Sequence, residues 1–105
     1  KTIGALKPWL ENEDLFWVIN GDTINDLNYT WMLHAHKPDT ITAFMDDWRC
    51  AGTWIYPKFC FDMSKNVSVI PYREKCFWAD VGTPERLEVA RRYLDEQTID
   101  NLSKV

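Results

Sequence analysis

The run Leu15-Phe16-Trp17-Val18-Ile19 is continuously apolar and stops at Asn20-Gly21-Asp22. Such a run suits a strand covered on both faces, as in a parallel sheet. The tight polar turn behind it leaves a carboxylate where a buried strand meets solvent. The same grammar returns near the other end, in Phe77-Trp78-Ala79-Asp80-Val81-Gly82-Thr83-Pro84. In open α/β sheets, ligands bind in the crevice beyond the carboxyl ends of strands. Two aspartates at two strand ends can together hold one hard cation.

The rest of the chain supplies alternating elements. Ala5, Leu6, Trp9 and Leu10 fall on one face of a helix predicted over 4–12, with Pro8 tolerated in its first turn. Residues 20–28 read as a loop, and Asn28 or Thr30 is placed to cap a helix over 29–36. Strands are predicted over 40–45 and 53–56, the latter closed by Pro57, and over 67–70, ended by Pro71. Residues 58–66 read as a helical turn followed by a loop. Residues 76–79 form a last strand. Thr83 then caps a helix with Pro84 at its first position. Leu87, Ala90 and Leu94 give that helix an apolar face, Glu88 pairs with Arg92, and a further turn over 97–105 turns Ile99 and Leu102 inward. The recurring strand–helix–strand order argues for an α/β domain with a parallel or mixed sheet, thin for a three-layer architecture.

With 105 residues the chain is long enough for one domain, read as 1–105. Its net charge of −4 and lack of a basic stripe argue against nucleic-acid binding. No apolar run approaches the ~20 residues that span a bilayer. Residues 1–14 show no basic start followed by an apolar segment, so no signal peptide is expected, and the reading is cytoplasmic. Cys50, Cys60 and Cys76 lie far apart without a C-x-x-C pair, which argues for reduced, mostly buried thiols rather than a zinc site. The six tryptophans are expected to be mostly core, with one or two available for stacking on a base or sugar.

Asp22 and Asp80 carry the chemistry. Mg²⁺ takes oxygen ligands octahedrally at about 2.0–2.1 Å, commonly one or two carboxylates completed by substrate phosphates. A glycine-flanked turn aspartate is also a common structural residue, and so is a strand-end carboxylate beside a helix N-terminus. His34 and His36 lie two apart on a predicted helix, face different directions, and read as surface or capping residues. Lys7, Arg73, Glu74 and Lys75 read as a solvated face.

In the order of its segments the chain resembles the sugar-1-phosphate nucleotidyltransferases, such as glucose-1-phosphate thymidylyltransferases and mannose-1-phosphate guanylyltransferases. Thr2-Ile3-Gly4-Ala5-Leu6-Lys7 looks like the tail of the G-T-x-G-A-L nucleotide loop. Val18-Ile19-Asn20-Gly21-Asp22 looks like the N-G-D strand end. Ala51-Gly52-Thr53-Trp54-Ile55-Tyr56 is similar to N-A-G-x-Y, and Trp78-Ala79-Asp80-Val81-Gly82-Thr83-Pro84-Glu85 to W-x-D-I-G-T-P-E. The resemblance implies a partial Rossmann-like three-layer nucleotidyltransferase fold with a mostly parallel or mixed sheet. It implies transfer of a nucleotidyl group from a nucleoside triphosphate to a sugar 1-phosphate, with release of pyrophosphate. Asp22 and Asp80 would bind Mg²⁺, Gly4 and Asp22 would meet the nucleotide, and Ala51 and Gly52 would lie against the sugar.

The chain also departs from that pattern. The Gly-rich G-G-x-G-T-R-L loop and the lysine after it are missing, Lys1 stands where the nucleotide loop has a glycine, and Cys50 stands where the family prefers asparagine. Five residues, 46–50, replace a long excursion that carries an E-K-P motif. The expectation is a fragment or shortened relative with weak or no turnover alone, because triphosphate positioning supplies much of the acceleration. Strands deprived of neighbours would expose edges and apolar faces, which self-association into a homo-oligomer would cover. Two rivals stand beside this reading. One is a non-catalytic binding or oligomerisation module derived from the family. The other is an unrelated Trp-rich α/β binding domain, in which Asp22 and Asp80 would lie far apart.

Overall fold

The computed structural model describes residues 2–61 and 66–103. In chain order these form α1 (Thr2–Ala5), α2 (Lys7–Leu10), β1 (Leu15–Ile19), β2 (Thr23–Asn25), α3 (Tyr29–Ala35), β3 (Ile41–Asp46), β4 (Arg49–Pro57), a 3-10 turn (Lys58–Phe61), β5 (Val69–Tyr72), β6 (Trp78–Asp80) and α4 (Pro84–Ser103). They fall into two compact units. One comprises Lys1–Asn20 with Asn28–Lys75, the other Gly21–Leu27 with Cys76–Val105.

The first unit is built on a four-stranded mixed sheet in the order β1-β4-β3-β5. β1 and β3 both run antiparallel to β4, and only β5 is parallel to its neighbour, β3. The sheet is therefore mixed, with antiparallel pairing dominant. The cause is the connector between β3 and β4. Asp46 pairs with Arg49, so only Asp47 and Trp48 form the turn. Two residues suffice for a hairpin, whereas a parallel crossover needs a dozen or more. Asp47 takes φ 53°, a left-handed conformation that aspartate tolerates in turns.

The inner strands hold this unit's core. Thr42, Ala43 and Phe44 on β3, and Ala51, Thr53 and Ile55 on β4, are buried, and Met32 of α3 joins them. β1, by contrast, is an outer strand. Phe16 is buried while Ile19 is 52% exposed, so the continuous apolar run does not mark a strand covered on both faces. β5 includes Pro71, which sequence had placed as a terminator. A proline lacks the N–H that a central strand needs for its ladder, but an outer strand tolerates it.

Helix ends follow the sequence closely. Asn28 caps α3, its side chain accepting the Trp31 N–H at 3.0 Å. His36 ends that helix and sits 2.7 Å from the buried Thr42 hydroxyl through Nδ1. The helix expected over 4–12 is instead two short pieces broken at Leu6. Pro8 cannot donate to a carbonyl one turn back, so the helix restarts around it.

The second unit is a two-stranded antiparallel ribbon, β2 with β6, and the long helix α4. β2 lies inside the predicted loop over 20–28. Leu27 and Ala90 are its buried apolar residues among those described. The expected apolar face of α4 is largely open. Leu87 is 43% exposed, Leu94 49% and Ile99 66%, so Ile99 does not turn inward. The side chain of Leu102 lies outside the described residues.

Other expectations change with burial. No tryptophan is fully buried, and Trp9, Trp31 and Trp48 are largely exposed. Cys50 is exposed and Cys60 and Cys76 are half-buried, and none of the three is in a disulfide. Glu74 is more than a solvated charge. It accepts the Asn28 N–H at 2.9 Å and the Tyr72 hydroxyl at 2.6 Å. Among the described residues, no helix is long and apolar enough to cross a membrane.

Candidate functional site

Asp22 and Asp80 both belong to the second unit. Asp22 directly precedes β2 and Asp80 ends β6. The ribbon register sets Thr23 opposite Asp80, and the Val81 N–H donates to the Asp22 carbonyl at 2.7 Å. Two aspartates 58 positions apart in sequence thus stand at the same end of one ribbon. The rival in which they lie far apart is not what the chain adopts.

Both carboxylates reach Gly82. A Cβ built on Gly82 would stand 3.0 Å from Asp80 Oδ1 and 3.9 Å from Asp22 Oδ2. The two acidic side chains therefore lean over the same glycine, and the missing side chain keeps the space between them open. The Gly82 N–H also donates to Asp80 Oδ1 at 2.7 Å, fixing the rotation of that carboxylate. Hard oxygen donors around an open space suit a hard cation such as Mg²⁺. Two carboxylates are a partial shell, and among the described residues no group of three or more histidine, cysteine or acidic side chains gathers to hold a metal.

The start of α4 carries a third participant. Thr83 Oγ accepts the Arg86 N–H at 3.2 Å and its carbonyl accepts the Leu87 N–H at 2.9 Å, the cap expected from sequence. This places Arg86 in the first helical turn, where its guanidinium reaches Asp80 Oδ2 at 2.5 Å. Sequence reasoning missed Arg86. The available signal was a basic residue in a helical turn that ordinarily favours acidic ones.

At the other end of the ribbon, Asp26 ties it to α4. It exchanges backbone and side-chain bonds with Phe77, its N–H donating to the Phe77 carbonyl and its Oδ1 accepting the Phe77 N–H at 2.9 Å. The Tyr93 hydroxyl donates to Asp26 Oδ2, and the Tyr93 ring stacks on Phe77 at 3.9 Å. The hydrogen bond to Asp26, then burial and the Asp26 charge, push the Tyr93 phenol above its ordinary range.

Gly4, Ala51 and Gly52 lie in the first unit. Gly4 is in α1 and exposed, with open space where a Cβ would go. Ala51 and Gly52 lie on β4 and are buried. Gly52 adopts φ 89°, a conformation that favours glycine, and its carbonyl accepts the Asn20 N–H at 2.9 Å.

Among solved structures, the chain is similar to the crystal structure of HddC from Yersinia pseudotuberculosis complexed with GMP-PN. The TM-score is 0.64 at 18% identity, over 87% of this chain and 61% of the HddC chain. At that identity the likeness is one of fold. The chain spans less than two thirds of the length of HddC. No family model matches the sequence, and no curated protein matches it.

Proposed function

We propose that the chain is the cation- and sugar-side portion of a sugar-1-phosphate nucleotidyltransferase. The observation that carries this reading is the convergence of the Asp22 and Asp80 carboxylates over Gly82. The fold shared with HddC, whose crystal structure contains GMP-PN, supports a nucleotide as one substrate. The reaction is attack by a sugar-phosphate oxygen on the α-phosphorus of a nucleoside triphosphate. The bond to the bridging oxygen of the β-phosphate breaks, and pyrophosphate leaves. Asp22 and Asp80 are the residues that would hold Mg²⁺. The chemistry supplied by a bound Mg²⁺ is neutralisation of charge on phosphate oxygens. Gly4 would let backbone approach the nucleotide, and Ala51 and Gly52 would form the wall beneath the sugar. The protein's contribution is alignment and electrostatics rather than a covalent intermediate.

Asp22→Asn and Asp80→Asn test the assignment. Titration with Mn²⁺, followed by electron paramagnetic resonance, should show each variant binding at least about tenfold more weakly, the scale expected on losing a ligand charge. Nucleotide binding in the presence of Mg²⁺ should fall with it. Unchanged cation and nucleotide binding in both variants would instead identify a non-catalytic module. Pyrophosphate release from nucleoside triphosphates and sugar phosphates should be weak or absent in this chain alone, and robust turnover would refute the portion reading.

A further inference from the structure

The first turn of α4 contains an arrangement that the transferase reading does not require. A helix N-terminus carries partial positive charge, so a cation in its first turn is disfavoured there. Arg86 nevertheless occupies that turn, and Asp80 Oδ2 compensates it at 2.5 Å. The other oxygen of Asp80 faces Gly82 and the Asp22 side. The guanidinium thus neutralises one of the two carboxylates through the oxygen that does not bond Gly82. Its hold is weak enough to be reversible. The Arg86 side chain is 58% exposed and that of Asp80 35%, so water can replace either partner at little cost.

Resting on the cation reading of Asp22 and Asp80, we propose that Arg86 is a displaceable internal counter-ion that sets the affinity of the pair for a divalent cation. With no divalent ion bound, Arg86 stays on Asp80 and relieves the repulsion between the two aspartates. When a divalent ion enters, its charge repels the nearby guanidinium, and Arg86 leaves Oδ2. The affinity of the wild-type chain is lowered by this exchange. Arg86 is a positioning residue here, acting through Asp80.

The test uses Mn²⁺ or Mg²⁺ alone, with no nucleotide. Arg86→Gln removes the charge and keeps a polar side chain, whereas Arg86→Lys keeps the charge. By the Coulomb scale for one charge in a largely solvated site, Arg86→Gln should tighten Mn²⁺ binding by about three- to thirtyfold, with Arg86→Lys close to wild type. A second readout does not depend on any variant. The Arg86 Nε–H resonance should shift toward that of a solvent-exposed arginine as Mg²⁺ is added. Mn²⁺ binding unchanged or weakened by Arg86→Gln would overturn the proposal, as would an Nε–H resonance indifferent to Mg²⁺. If Asp80→Asn abolishes Mn²⁺ binding while Arg86→Gln leaves it unaltered, the counter-ion role alone falls. If neither wild type nor Arg86→Gln binds Mn²⁺, the cation reading falls and takes this inference with it.

Discussion

At the residue scale, two glycines flank the first aspartate's turn and the second aspartate's cap, and they differ in what surrounds them. A Cβ at Gly21 would meet nothing within 4 Å, whereas one at Gly82 would press on Asp80 Oδ1 at 3.0 Å. Gly82→Ala should therefore displace the Asp80 carboxylate and weaken Mn²⁺ binding about tenfold or more, while Gly21→Ala leaves it near wild type. Both changes fall on exposed positions, so stability should move by less than about 1 kcal/mol in either. Calorimetric Mn²⁺ titration of the two variants decides it, and equal effects would show that the space over Gly82 is not where the cation sits. His36 carries a separate prediction in the first unit. Burial lowers its pKa below the ordinary 6.5, and Nδ1 lies 2.7 Å from the Thr42 hydroxyl. A lowered folded pKa means that the unfolded chain binds more protons, so this contribution is present above about pH 6.5 and is lost as pH falls below it. Urea unfolding between pH 7.5 and 5.5 should show stability falling, with a shallower fall in His36→Gln. Parallel slopes in the two proteins would rule out His36 as the source. Sequence reached the two aspartates through their strand-end grammar, but the approach of Asp22 to Asp80 and Gly82 depends on a register between segments 58 positions apart, which no local pattern encodes, whereas Arg86 lies only six residues from Asp80 and was open to a local reading.

At the element scale, local chemistry was legible and pairing was not. The Asn28 and Thr83 caps, the Pro84 start and the Glu88–Arg92 pair at 3.3 Å all stand where short-range rules put them. Those rules depend on residues within one turn of each other. Strand direction depends on connector length and partner choice, so an apolar run such as Leu15–Ile19 reads the same for either sheet type. β2 was invisible because three residues rich in polar atoms become a strand only against β6. α4 shows the consequence of thin packing. With most of its apolar residues exposed, its first turn is closed by the cap at Thr83, and it is held to the ribbon by Arg86 on Asp80 and by Tyr93, which joins Asp26 and stacks on Phe77. Thr83→Ala should cost about 1 kcal/mol by loss of the cap. Tyr93→Phe keeps the stack and removes only the donated hydrogen bond. Amide exchange along α4 should accelerate in both variants, most at the first turn in Thr83→Ala and around Tyr93 in Tyr93→Phe. Exchange on α3 serves as the internal reference, and a uniform acceleration there would point to global rather than local loosening.

At the scale of the whole molecule, the balance between core and surface makes association the expected behaviour. The first unit closes its core over β3 and β4 but leaves β1 and β5 as the outer strands of the described sheet. Trp17 and Ile19 of β1, with Tyr29, Thr30 and Leu33 of α3, line a groove of about 380 Å³, and Trp17 meets Tyr29 edge-on at 5.3 Å. Trp31 on the same helix is 63% exposed. An outer strand beside open apolar side chains is a template for pairing with another strand, and contiguous apolar patches of a few hundred Å² commonly mark such contacts. A second copy of the chain offers the same strand, and a two-fold axis would let each β1 satisfy the other. Sedimentation velocity from about 5 to 200 μM should therefore show the boundary moving to larger coefficients with concentration, the micromolar range being that of modest interfaces. Ile19→Lys combined with Trp31→Lys should shift that rise to higher concentration, because both positions are exposed and a lysine on an outer strand opposes edge pairing. The same two changes leave Phe16, Phe44 and Ile55 in place, so the folded signal in circular dichroism should persist. A single unmoving monomer boundary for the wild-type chain across the range would mean that β1 and its groove are stable in water as they stand.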